Sequence, residues 1–410
     1  MRKILLCLSV LLSCFAFYKL TNSERPFLTI IGRIVVADGL GRQAIELVET
    51  LQDEVSTNLI PTARIWRDVP EKIKQLLRKN RKLGTLIICQ EPINESFRRL
   101  KTPVRPDQLR IAYTMYETTK LPTDHVNLLN RYFDAAVVPD PWLIEIYKNS
   151  GVEIPLFVLP LGRDFSSFLN CDLKQKRGSP FTFAALGSGI ERKNLPTLIR
   201  AFRKAFGNRS DVRLLINCRS SYICDPKIID EVQKTQTNNV IFTRYTLSNL
   251  AYLDLLKTVD CYVNISKSEG FSIQPREAMA LGIPVILTDN TAQHTICKSG
   301  LVRSVPSELL EPAVCEFTLE KDLGFYFGCD EEAVAEALLD VERNYDSFLE
   351  KSAEARQWAS QYDFSQLRPL YCSLVKPKKL LLGEENKITP DYLMTNSNKF
   401  YKKYKKLILN

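Results

Sequence analysis

Apolar, β-branched runs alternate along this chain with stretches whose hydrophobic positions recur at helical spacing, the pattern of βα units feeding mainly parallel sheets. The first run, residues 27–36, ends in Ala37-Asp38-Gly39-Leu40-Gly41 and passes into a helical pattern over 42–51. Further strands are predicted at 85–89, 109–113 and 135–139, and 157–162 reads as a strand entering a turn. Residues 164–180 are polar and poor in strand signal, which places a boundary there. The pattern then restarts with a strand at 181–186, a helix at 195–206 and strands at 212–217, 240–242 and 261–265. Two halves share an architectural style without a short-period repeat.

Composition agrees with this division. A chain of 410 residues supports two or three cores, and 45% hydrophobic with 25% charged residues describes a packed globular body. The net charge is +9, but it is concentrated at the ends. Residues 1–19 hold Arg2, Lys3 and Lys19 without an acid, and residues 376–410 hold nine lysines against Glu384, Glu385 and Asp391. These two segments account for the whole excess. The neutral body between them argues against a nucleic-acid partner.

The apolar run from Ile4 to Tyr18 has the length of a signal-peptide core and is short for a membrane-crossing helix. A secretion signal, an anchor, and a segment packed on the body all fit it, and Leu11-Leu12-Ser13-Cys14 also has the form of a lipobox. At the other end, Lys399-Phe400-Tyr401-Lys402-Lys403-Tyr404-Lys405-Lys406 interleaves aromatics with lysines, as a solvated tail or a segment lying on an anionic membrane surface does. The expectation is membrane association through one or both ends, with the side of the membrane left open. Asn94-Glu95-Ser96 and Asn208-Arg209-Ser210 are glycosylation triplets, whereas burial should block Asn264-Ile265-Ser266.

Eleven cysteines, two of them in the N-terminal segment, include no Cys-x-x-Cys pair, so no zinc or redox framework is legible. His125 and His294 are the only histidines and no Asp-x-Asp occurs. The sequence therefore disfavours a metal site, and no metal ligand is assigned.

The most informative stretch runs from Ser266 to Ile286. A strand ends near Ile265, Gly270 allows close backbone approach, and Pro275 suits the first turn of a helix that Gly282 and Pro284 close. Such a strand–loop–helix unit presents free N–H groups and a positive dipole end to an anion, especially a diphosphate. Glu269 in the loop and Glu277 in the helix flank that point. Carboxylates beside a phosphate site make chemical sense as acceptors for sugar hydroxyls.

Glu269 to Glu277, with Gly270-Phe271 and Ala278-Met279-Ala280-x-Gly282-x-Pro284-Val285, resembles the Glu-x7-Glu signature of retaining nucleotide-sugar glycosyltransferases of family 4. Ordered matches span about 30 to 374. Tyr113-Thr114-Met115-Tyr116-Glu117, Leu121-Pro122, Phe133-Asp134 and Val138-Pro139 are similar to the acceptor domain of that family. Ser150-Gly151-Val152, Val158-Leu159-Pro160-Leu161-Gly162 and Phe168 resemble its domain-closing segment, and Arg192-Lys193-Asn194-Leu195 resembles its phosphate-binding segment.

The resemblance implies an α/β chain of the GT-B class: two Rossmann-like domains whose parallel sheets face a cleft. The expected layout is a hydrophobic segment at 1–20, an acceptor domain at 21–165 and a donor domain at 166–355. A C-terminal helix at 356–375 should pack back towards the first domain, ahead of the basic tail at 376–410. The implied activity is metal-independent transfer of a hexose, with retention, from a nucleoside-diphosphate sugar to a glycan, lipid-linked or other hydroxyl acceptor. No cofactor is implied beyond the donor as co-substrate. Glu277 would hold the donor ribose and Glu269 the transferred sugar, while Lys193 with Arg192 would neutralise the leaving diphosphate. Gly270, Phe271, Ser272 and Gly187 would line the donor site. Gly39 and Gly41, with Glu117 and His125, would lie on the acceptor and sugar side. His125 also reads as a polar residue on a helix leading to Leu128 and Leu129. The family usually has an arginine after the glycine of the preceding strand, where Ser188 follows Gly187 here.

Two other readings compete. Gly39-x-Gly41-x-x-Ala44 matches a dinucleotide fingerprint, but no acidic strand end follows near 59–64, which weakens an NAD(P)- or FAD-dependent oxidoreductase. Ser188 keeps open a GT-B protein that binds a nucleotide sugar or glycan with little turnover.

Overall fold

The computed structural model describes residues 26–35, 39–62, 69–77, 83–90, 105–220, 224–234, 238–314 and 320–375. The hydrophobic segment at 1–20, the basic tail at 376–410 and the triplet at Asn94 fall outside those residues. Among the described residues, no helix is long and apolar enough to cross a membrane.

Two six-stranded parallel sheets organise the chain. The first comprises β1 (Leu28–Gly32), β2 (Thr57–Pro61), β3 (Leu86–Gln90), β4 (Leu109–Tyr113), β5 (Ala135–Val138) and β6 (Leu156–Val158) in the order β2-β1-β3-β4-β5-β6. The second comprises β7 (Phe181–Gly187), β8 (Val212–Cys218), β9 (Val240–Arg244), β10 (Cys261–Asn264), β11 (Val285–Asp289) and β12 (Arg303–Pro306) in the order β12-β11-β10-β7-β8-β9. Among the described residues helices join most of the strands, so each sheet with its helices is a Rossmann-like domain, and the pair is the GT-B fold. A hairpin of β13 (Leu309–Pro312) and β14 (Phe325–Gly328) follows the second sheet.

The central strands are apolar because they lie under helices, whereas the edge strand β9 has no buried residue. All five residues of β1, of β3 and of β4 are buried. The helix Leu195–Phe206 shows how sequence sets this packing: Leu195, Leu198, Ile199, Phe202 and Phe206 recur at three- and four-residue spacing and are buried. Phe183 meets Phe202 and Phe206 at ring-centroid distances of 6.3 and 5.6 Å. Each such side chain contributes roughly 1.5–3 kcal/mol on burial.

Two expected strands are shorter than their hydrophobic runs. β1 stops at Gly32, the last residue paired with β2, opposite Pro61. There the chain presses on Gln90 and Ala44, whose Cβ atoms lie 3.2 and 3.3 Å from the point a Gly32 Cβ would occupy. β6 stops at Val158, the last residue paired with β5, and 159–165 become the crossing between the domains.

The chain also crosses back. The helix Phe364–Ser373 packs against the first-domain helix Gly39–Leu51. The Tyr371 hydroxyl donates to the Pro160 carbonyl at 2.8 Å and accepts from the Gly162 amide at 3.0 Å. Arg163 and Phe364 exchange further backbone bonds with this segment, Arg163 N–H to Tyr362 and Phe364 N–H to Arg163. The two domains are thus tied at the crossing and at the C-terminal helix.

Candidate functional site

In the second sheet β7 and β10 are neighbours and the strand order runs outward in opposite directions from them. Crevices at the carboxyl ends of such strands are where open α/β sheets bind ligands. Gly187 ends β7 and the 265–272 loop follows β10, so both sequence-predicted donor segments emerge at this point. Gly187, Ser188, Lys193, Tyr262 and Asn264 line one pocket.

Asn264 organises the loop. Its Nδ2 donates to Glu269 Oε1 at 3.3 Å and Ser272 Oγ at 3.2 Å, and its Oδ1 accepts from the Ser266 amide at 3.1 Å. Thr291 Oγ1 accepts from the Glu269 amide at 2.9 Å. Ser272 adopts a left-handed conformation, φ 63° and ψ 65°, and starts the helix Ile273–Ala280 without capping it through its side chain. The Ile273 and Gln274 amides, ahead of Pro275, which has no N–H, receive no cap from that side chain. Gly282, expected from sequence to close the helix, follows it in a left-handed conformation, φ +72°.

Arg276 holds this strained start in place. Its buried guanidinium donates to the Ser272 carbonyl at 3.0 Å and to the Phe271 carbonyl, and lies 3.9 Å from the Phe271 ring centre and 4.3 Å from that of Tyr362. The stacking offsets part of the cost of burying the charge.

Glu269 is the centre of the charged cluster. Lys193 Nζ bonds its Oε1, Arg192 Nη1 lies 3.2 Å from Oε2, and Arg192 Nη2 reaches Glu117 Oε1 at 3.2 Å. The turn Glu191–Lys193 ends in left-handed Asn194, φ 55°, which aims both cations at the loop. Burial pushes the Glu269 carboxyl up, but Lys193 and Arg192 outweigh it and hold it down at about 2. Four sequence-predicted residues, Glu269, Lys193, Arg192 and Glu117, are therefore in one network that bridges the domains. Gly270 sits beneath Met115 of the first domain, with 3.0 Å between a would-be Cβ and the sulfur. Phe271 is buried under Arg276.

Glu277 also faces the first domain and is fully buried. Sequence reasoning gives this carboxylate to ribose hydroxyls. In the structure its Oε1 accepts from Arg163 Nε at 2.8 Å and Arg42 Nη1 at 3.3 Å, and its Oε2 accepts from the Tyr252 hydroxyl at 2.8 Å. Glu46 joins the cluster 3.7 Å from Arg163. Its burial raises the carboxyl to about 7 in spite of Arg163 and Arg42. Gly41 lies in the first turn of Gly39–Leu51, where a side chain would strike the Val35 backbone; Gly39 opens the same helix.

His125 lies within the first domain, on the helix Thr123–Tyr132, with 2% of its surface exposed. It stacks on Tyr116 at 6.0 Å and approaches Thr114 Oγ1 at 3.5 Å, and burial lowers its pKa to about 4. This is the environment of a neutral core histidine.

Sequence reasoning overlooks Arg42, Arg163, Tyr252 and Arg276. Arg163 and Glu277 are 114 residues apart, and no local pattern couples them. Arg276 sits beside Glu277 in the short segment Ile273–Ala280, where no local spacing tells which side chains are buried.

Residues 180–341 match the model of a family described as Glycosyl transferases group 1. By fold, the chain is similar to HepE of Anabaena in complex with UDP, with TM-score 0.59 and 12% identity over 85% of this chain and 98% of that one. A glycosyltransferase from Rickettsia africae ESF-5 gives 0.62 and 13% over 87% and 100%, and sucrose-phosphate synthase from Thermosynechococcus elongatus 0.61 and 15% over 86% and 98%. The chain spans 54% of TarM, with TM-score 0.54 and 13% identity over 70% of this chain. No curated protein matches by sequence. The structural likenesses carry the GT-B fold, and the family match falls within the second domain.

Proposed function

We propose, from a GT-B chain whose second domain matches the Glycosyl transferases group 1 family, that this protein moves a hexose from a nucleoside-diphosphate sugar to a hydroxyl of a glycan or lipid-linked acceptor with retention of configuration. The observation that carries the reading is Glu269, held ionised between Lys193 and Arg192 at the reversal point of the second sheet. A fixed carboxylate there accepts bonds from sugar hydroxyls, and the two cations supply the charge that a departing diphosphate needs without calling on a metal. Attack from the face that the leaving group vacates requires positioning and charge stabilisation more than a separate base.

Ribose recognition by Glu277 fits this reading if Arg42, a first-domain residue at 3.3 Å, withdraws when the domains part. A carboxylate offers about four acceptor positions, and three protein donors use three of them. The second reading, donor binding with little turnover, draws support from the same occupied carboxylate and from Ser188.

Thermal stabilisation by UDP, GDP and ADP, followed by transfer assays with sugars of the base that binds, tests both. Ligand at 100 times its dissociation constant adds about 2.7 kcal/mol. Transfer with an unchanged anomeric configuration, insensitive to a chelator, is expected. Binding without transfer to any hydroxyl acceptor selects the second reading, and no nucleotide effect overturns both. Membrane association through the two ends belongs to the same proposal. Recovery of the full chain wholly in the soluble fraction at low salt refutes that part.

A further inference from the structure

Behind the Gly187–Gly189 turn lie two thiols that the transfer reaction does not use. Cys218 ends β8, and Cys224 lies two residues before the helix Pro226–Lys234. The segments holding them clasp the turn: the Arg219 amide donates to the Gly187 carbonyl at 2.7 Å and the Asp225 amide to the Gly189 carbonyl at 2.6 Å. Both sulfurs lie 2.9 Å from one point, the position a Cβ on Gly189 would take. They are therefore neighbours in space that only a glycine leaves free, and the two thiols hydrogen-bond to one another. Cys218 is 1% exposed and Cys224 9%.

We propose that Cys218 and Cys224 form a reversible disulfide across the back of Gly189, a redox-modification site whose co-reactant is a low-molecular-weight disulfide such as oxidised glutathione. The more exposed Cys224 attacks first. Its sulfur displaces one glutathione thiol to give a mixed disulfide, and Cys218 then displaces the second. Two protein thiols and one glutathione disulfide become one protein disulfide and two glutathione thiols, with electrons and protons balanced. The bond ties the end of β8 to the start of the helix Pro226–Lys234, beneath the turn that leads to Arg192 and Lys193.

Burial pushes Cys218 up to about 12 and raises Cys224, while Arg244 pulls both down. Thiols with so little thiolate react slowly, and a thiol of high pKa is a poor leaving group once the bond has formed. Formation and reversal should both be slow, over hours rather than seconds.

The test is incubation of the full-length protein in glutathione buffers of increasing oxidised fraction, maleimide quenching and peptide mapping. The expected result is a Cys218–Cys224 cross-linked peptide that dithiothreitol removes, with loss of two reactive thiols per chain. Cys171→Ser should retain it, and Cys218→Ser and Cys224→Ser should each abolish it. Should either variant fail to fold, the mapping of the unaltered protein decides alone. Recovery of both cysteines as separate maleimide adducts at every ratio, or their cross-linking to other cysteines, overturns the proposal. The readout requires no transferase activity, so it stands apart from the functional assignment.

Discussion

Arg163 Nε donates to Glu277 Oε1 at 2.8 Å, joining the crossing segment between the domains to the helix that follows the 265–272 loop. The carboxylate is completely buried and Arg163 nearly so. Bringing such charges out of water costs several kcal/mol each, so the pair is favourable only as long as every member is matched. Arg42 and Tyr252 complete the match.

Breaking this cluster from the acidic side should be the more damaging change. Glu277→Ala leaves two buried guanidiniums, Arg42 and Arg163, without their shared carboxylate. A loss of about 3–5 kcal/mol is expected in urea unfolding. Arg163→Met, which keeps the stem's packing, should cost less because Arg42 and Tyr252 still serve Glu277. Equal losses in the two variants would contradict this account.

Three buried groups give stability opposing dependences on pH. Glu46, raised to about 7, binds its proton more tightly folded than unfolded, so its contribution falls as pH rises from about 4.5 to about 7. His125, lowered to about 4, is protonated more readily in the unfolded chain, so its contribution rises with pH between about 4 and 6.5. Glu269, lowered to about 2, contributes fully above about 4.5 and loses that contribution only as pH falls towards 2. The difference between the native protein and Glu46→Gln isolates the contribution of Glu46. The variant should gain on the order of 1–3 kcal/mol at pH 8 relative to pH 4.5. A pH-independent difference would remove Glu46 from the cluster's energetics.

Lys193→Ala should lower kcat by about 100- to 1,000-fold if the ammonium stabilises charge that develops on the diphosphate. Loss of the neighbouring cation should also let the Glu269 carboxyl rise from about 2, shifting the acid limb of the pH–rate profile upward. A change confined to KM would assign Lys193 to ground-state binding instead.

Arg276→Leu removes the guanidinium that clamps the Phe271 and Ser272 carbonyls while keeping an apolar side chain among Phe271 and Tyr362. Ser272 should then relax from its left-handed conformation, and donor KM should rise several-fold more than unfolding stability changes. A variant with native donor affinity would show that the loop holds its shape without the clamp.

The alternation of apolar runs with helical periodicity was sufficient to anticipate two parallel α/β halves, because a strand covered by helices on both faces must be apolar throughout. β4 begins and ends where its run does, at Leu109 and Tyr113, and the helix Leu195–Phe206 matches its periodic stretch. Residues 57–61 gave a weaker signal: Thr57 and Asn58 interrupt the apolar pattern, and pairing with β1 is what makes them a strand. At the site, Glu269, Gly270, Gly282 and Pro284 were legible because each owes its position to loop and helix-end chemistry within a few residues. Local sequence thus determined the elements and the chemical types gathered at the 265–272 loop. Tertiary structure alone decided that Glu277 meets Arg42 and Arg163, that Met115 covers Gly270, and that His125 is buried away from solvent. Charges from segments a hundred or more residues apart acquire partners only when the sheets are stacked and the chain has crossed twice between them, and no periodicity records that distance.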